Sequence, residues 1–137
     1  MPVVVVTSVL AALAAALHVL IFVMEAVWFP HRPDVQARFR THPDDVEAVR
    51  PWAYNQGFYN LFLALGALAG VVVMWAGDLT TGLALVLLAC GSMLAAALVL
   101  VLTDHRMARA AATQGTVPAL AVISALITLS LFARGLS

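Results

Sequence analysis

Two ionisable side chains, His18 and Glu25, stand inside the first long apolar run of the chain, 3–29. They lie seven residues apart, about two helical turns, so a helix projects both from one face. Phe22 and Phe29 continue that face, and Trp28 closes the run. An imidazole and a carboxyl group are expensive to place in a membrane-spanning helix. By default they mark a functional site or a polar contact that holds helices together. Out of water the neutral acid and the neutral imidazole are the favoured forms. Glu25 could then give a proton and His18 take one, as an acid–base reaction requires. A second polar group follows in Trp52-Ala-Tyr-Asn-Gln-Gly-Phe-Tyr-Asn60, where Asn55 and Tyr59, and Gln56 and Asn60, are each four apart. That spacing spreads four polar side chains over one broad helix face. Amides and a phenol placed there could orient a carbonyl, a hydroxyl or a head group.

The elements that position these residues follow from composition. The chain has 137 residues, 64% hydrophobic and 10% charged, with a mean hydropathy of +1.01. A soluble domain would be about one quarter charged, so the sequence is that of an integral membrane protein, short enough to form one domain over 1–137. Net charge is zero, and no nucleic-acid partner is expected. Four stretches, about 3–29, 52–75, 79–103 and 116–133, approach or exceed the roughly 20 residues that cross a bilayer. The fold class is therefore all-α, a four-helix transmembrane bundle. Trp28, Trp52 and Trp75 fall at span ends, as an interfacial aromatic belt explains. The first run lacks a basic leader and is far longer than a signal-peptide core, so it reads as a retained helix. Cys90 is alone and reads as a small buried hydrophobe.

Arginine placement orients the bundle. Arg32, Arg38, Arg40 and Arg50 lie between the first two spans, and Arg106 and Arg109 between the last two, leaving only Arg134 beyond. The positive-inside rule makes the arginine-bearing side cytoplasmic and puts both termini outside. The first loop contains two proline-opened pieces, 33–41 and 43–50, each acidic at its start and basic at its end. Val35 and Phe39, and Val46 and Val49, give each an apolar edge. They read as short amphipathic helices on the membrane surface or lidding the bundle. Gly66 and Gly70 form a GxxxG, and Ala11/Ala15 and Ala12/Ala16 repeat the spacing. Such stripes permit close helix packing and are compatible with a homodimer.

Antiparallel spans bring the polar start of the second beside the end of the first. Glu25 is then roughly 7 Å inside the arginine-bearing end and His18 about 10 Å deeper. Asp104, His105 and Gln114 flank the same side, whereas the opposite half reads as Val, Leu and Ala. The expectation is a polar cavity in the cytoplasmic half. A simpler reading competes: Glu25 is an acceptor for Asn55, Gln56 or Asn60, and the cluster is only helix glue. No HxxxH or HExxH spacing supports a metal site, and no cofactor is implied.

The stretches His18-Val-Leu-Ile-Phe-Val-Met-Glu25-Ala-Val-Trp28 and Asn55-Gln-Gly-Phe-Tyr-Asn60, followed by 61–64, resemble the domain of unknown function 1304 family of small four-span bacterial membrane proteins. The resemblance covers essentially the whole chain and implies architecture and a bacterial inner-membrane location, without a substrate. The resulting expectation is a pocket built on His18, Glu25, Asn55, Gln56, Tyr59 and Asn60, with Phe22 and Trp28, that binds a small amphiphilic or lipid-like molecule. Glu25 and His18 would be the acid and base if the molecule is also transformed. Two rivals stand beside it. One is a proton-coupled exporter similar to small multidrug transporters, which also have four spans and a first-helix glutamate. The other is a structural or accessory subunit.

Overall fold

The computed structural model describes residues 2–135. Helix α1 runs Pro2–Phe22, and its last turn, Val23–Trp28, is π-helical. A short helix α2 follows at Pro33–Arg38. The remaining long helices are α3 (Val46–Trp75), α4 (Leu79–Thr103) and α5 (Ala108–Ala133). Among the described residues four helical segments are long and apolar enough to cross a membrane, and the chain is an all-α, multi-pass membrane protein.

Two boundaries differ from the sequence reading. The second surface piece is not a separate helix: a 3-10 turn at Pro43–Asp45 leads straight into α3. Pro51 costs that helix only the bond to the carbonyl of Glu47, and Glu47 is exposed, where water can satisfy it. Likewise α5 starts at Ala108 rather than near Thr116, because the alanine-rich stretch before Thr116 is a strong helix former.

The helices form a ring. Helix α1 packs on α3 and α5, α4 packs on the same two, and α1 and α4 scarcely meet across the diagonal. Small residues make this possible, since lipid provides no hydrophobic drive between helices. Ala11, Ala14 and Ala15 of α1, Ala64 and Ala67 of α3 and Ala121 and Ala125 of α5 are all fully buried. Large residues such as Val9, Leu13, Leu88 and Ile123 face outward, as lipid contact demands. The GxxxG is consumed within the chain. A Cβ on Gly70 would lie 2.8 Å from the Gly82 carbonyl, and one on Gly66 would be in ordinary contact, 3.5 Å, with Ala89.

The half near the termini is not purely apolar, contrary to expectation. Thr7 is fully buried, with its hydroxyl 2.7 Å from that of Ser124 and 2.9 Å from that of Thr128. Three hydroxyl protons cannot fill four contacts at once: with Ser124 giving to Thr7, Thr7 to the Val3 carbonyl and Thr128 to the Ser124 carbonyl, the Thr7–Thr128 contact has no proton of its own. Beside it, the Trp75 indole donates to the Ser8 hydroxyl at 2.9 Å, tying the end of α3 to the start of α1. Thr7→Val keeps shape and removes the hub. Stability is expected to fall by about 0.6–1.7 kcal/mol, the range for interhelical hydrogen bonds in membranes. Denaturant titration in mixed micelles measures it, and an unchanged midpoint would refute the cluster's contribution.

Candidate functional site

The site is built where α1 leaves regular helix. In the π turn the Phe29 amide bonds the Met24 carbonyl, an i→i+5 step of 2.9 Å. Single π turns of this kind are frequent at functional sites, and this one carries Glu25. Against it lies Gly57 of α3. A Cβ there would sit 3.0 Å from both the Cβ and the amide nitrogen of Ala26 and 3.2 Å from the Glu25 Cβ. Glycine therefore lets α3 approach the π turn closely enough for Asn60 to reach across. The Asn60 side-chain amide donates to one Glu25 carboxyl oxygen at 2.8 Å and to the Gln56 carbonyl at 3.1 Å. Asn60 is only 8% exposed.

Beside Glu25 a cleft of about 320 Å³ opens at the arginine-bearing end of the bundle. Its polar wall is Glu25, Thr41, Asn55 and Gln56, and its apolar wall is Phe29, Phe39, Val49, Trp52 and Ala53. The loop helix α2 covers one side. Val35 is buried, Gln36 donates to the Phe29 carbonyl at 2.8 Å, and the Phe39 ring packs edge-on to Phe29 with centroids 6.1 Å apart. Helix α2 ends in a Schellman arrangement, in which Arg40 donates to the Ala37 carbonyl and Thr41 to that of Gln36. Arg40 supplies the left-handed residue, at φ 56°, where glycine is usual. This turn sits between Phe39 and Thr41, both of which line the cleft.

Three of the arginines at this end are paired. Arg32 makes a two-pronged contact with Asp34 and lies 4.9 Å over the Trp28 ring. Arg50 meets Glu47 at 3.4 Å. Hydrogen bonds from the Arg106 side chain and backbone, with the charges of Arg106 and Arg40, hold the Asp104 carboxyl down at about 2. That Arg40 acts on Asp104 also puts the first and third loops at one end of the molecule.

The expected site residues divide accordingly. Glu25, Asn55 and Gln56 line the cleft, and Asn60 anchors Glu25 from behind. Tyr59 does not join them: it is 58% exposed on the outer surface. At about 100° per residue, positions 55 to 60 sweep too wide an arc for one face, and the buried side of α3 is centred on Gly57, Asn60 and Ala64. Phe22 packs instead against Phe58, with ring centroids 5.1 Å apart, and Trp28 serves Arg32. His18 is 1% exposed, and its Nδ1–H donates to the Ala14 carbonyl one turn back, at 2.9 Å. It is not part of the cleft lining. Among the described residues no cluster of His, Cys, Asp or Glu could hold a metal ion. Sequence reasoning missed Gly57, whose place among polar neighbours was the available sign of close approach. It also missed Thr41 and Ala53, which carry no such sign.

The model of the family described as protein of unknown function (DUF1304) matches residues 12–126. The chain belongs to this family. The match contains His18, the π turn, Gly57, Asn60 and every residue lining the cleft, and stops short of Thr7 and Thr128. No curated protein and no solved structure matches the chain.

Proposed function

We propose that the Glu25 cleft is a binding site for the head of a small amphiphilic or lipid-like molecule, entered from the cytoplasmic face of the bacterial inner membrane. Both termini then lie outside, as the arginine distribution favours. What supports the reading above all is the make-up of the cleft: a carboxyl group and two amides on one wall, aromatic and aliphatic side chains on the other, at a span end. A head group meets hydrogen-bonding partners there while its tail stays in the bilayer. Its volume lies at the low end of ordinary ligand pockets.

Acid–base chemistry by a Glu25–His18 pair draws less support. His18 has its Nδ1–H committed to Ala14 and lies away from the cleft, so any proton given to a bound molecule falls to Glu25. Export across the membrane draws less still. Between His18 and Ser8 the buried face of α1 is Ala11, Ala14 and Ala15, roughly 15 Å of rise without a polar group.

Filling the cleft tests the proposal. Ala53 lines it and is half-buried, so Ala53→Trp should occupy the space without disturbing Glu25 and Asn60. Native mass spectrometry of the wild type is expected to show a discrete bound molecule that is absent from Ala53→Trp. Identical spectra from two equally stable proteins would remove the binding site.

A further inference from the structure

The wall chemistry of the cleft specifies more than an amphiphile. Among the described residues Glu25 is the only ionisable one lining the cleft, and its carboxyl group meets one amide N–H and no cation. Arg32 is engaged with Asp34 and Trp28, Arg50 with Glu47 and Arg106 with Asp104, while Arg40, in the turn beside the cleft, is exposed and acts on Asp104. A half-buried carboxylate lacking a counter-charge is costly, and it draws in a proton or a cation. Around it stand Phe29, Phe39 and Trp52. Aromatic rings attract a desolvated cation, and cages of such rings are a recurrent way to hold ammonium groups. A neutral head group can give Glu25 a hydrogen bond but no counter-charge, and an anion would face the carboxylate directly.

Building on the binding reading above, we infer that the head group taken by the Glu25 cleft is an ammonium, primary or quaternary, carried by an amphiphile. The carboxylate supplies the counter-charge and Phe29, Phe39 and Trp52 the aromatic wall, while Asn60 holds the carboxylate from behind. A cleft of about 320 Å³ takes the head and the first methylenes and leaves the rest of the tail in the bilayer.

The test keeps the tail constant and varies the head. Dodecyltrimethylammonium, dodecylamine, dodecyl maltoside and dodecyl sulfate are titrated onto the full chain in phosphatidylglycerol nanodiscs. Tryptophan fluorescence is the readout, empty discs correct for partitioning, and Trp52→Phe identifies the signal from the cleft. Both ammonium compounds are expected to bind at least about tenfold tighter than the neutral and anionic ones, the ratio expected for one good charge-pair interaction. Glu25→Gln should erase the preference while keeping its thermal transition, and Phe39→Leu should weaken trimethylammonium binding about threefold. Adding phosphatidylethanolamine to the discs identifies the source. Competition with the free amphiphile points to an aminophospholipid and its absence to a free ammonium compound, and either supports the ammonium class. Equal affinity for all four heads, abolished by Ala53→Trp, would overturn the ammonium assignment and leave the binding site standing. Signals indifferent to Ala53→Trp would overturn both.

Discussion

Gly82→Ala is expected to be among the most damaging single-methyl changes in this protein, lowering stability by about 3 kcal/mol. A Cβ on Gly82 would stand 2.5 Å from the Met74 amide nitrogen and 2.7 Å from the Gly70 carbonyl oxygen. The Met74 Cγ also stands in the way and can swing aside, but these two neighbours are backbone, so α3 and α4 must separate there. Met93, Cys90, Val86 and Leu83 of α4 are buried at or near that seam and would lose packing together. Gly70→Ala meets the same obstacle from the other helix, at 2.8 Å from the Gly82 carbonyl and 2.9 Å from the Val86 amide nitrogen. Gly91 provides the control. It lies on the same helix with nothing within 4 Å of its added Cβ, so Gly91→Ala should leave stability unchanged or raise it by up to about 1 kcal/mol. Denaturant titration in mixed micelles ranks the three. A Gly82→Ala protein as stable as Gly91→Ala would mean that the helices do not cross this closely.

How much of this was legible in advance depended on the kind of signal. Span number and arginine placement follow from sums over many residues, and such sums survive local surprises. Gly66 and Gly70 were visible as a GxxxG, but the partner of Gly70 is Gly82, which has no motif around it. Glu25 was conspicuous because a carboxyl group in a span is costly wherever it points. The π turn that carries it was not, because an i→i+5 hydrogen bond is made by backbone and leaves no side-chain pattern. Phe39 was read as the apolar edge of a loop helix, which it is, and its place on the cleft follows from the docking of that helix on Phe29, with a left-handed turn at Arg40 after it. A left-handed arginine has no sequence sign at all. The hydroxyl cluster was missed for a related reason. Thr7 and Thr128 satisfy themselves by bonding back to their own helix, so nothing in their spacing announces that they also meet.

The rivalry between ligand site and helix glue can be decided by separating stability from binding at Glu25 and Asn60. Asn60→Leu removes the donor and leaves a half-buried carboxyl group without its partner, at a cost of about 1–3 kcal/mol. Glu25→Gln is gentler. Its side-chain oxygen can take the Asn60 N–H in place of the carboxylate, and although a neutral bond is about half as strong, the loss should stay under about 1 kcal/mol. Replacing both partners, Glu25→Leu with Asn60→Leu, removes the unsatisfied group altogether. The double variant should therefore be more stable than Asn60→Leu alone, since matched apolar replacement of a bonded pair is close to neutral. Binding should follow a different order. Glu25→Gln, nearly as stable as the wild type, is expected to lose at least about tenfold in affinity, and the stable double variant should not bind. If instead affinity tracked stability through all three variants, Glu25 and Asn60 would be doing no more than joining α1 to α3. Retained binding in Glu25→Gln would have the same meaning. A carboxyl group held by an amide on one oxygen, with its other side facing a cleft, predicts that the two orders diverge.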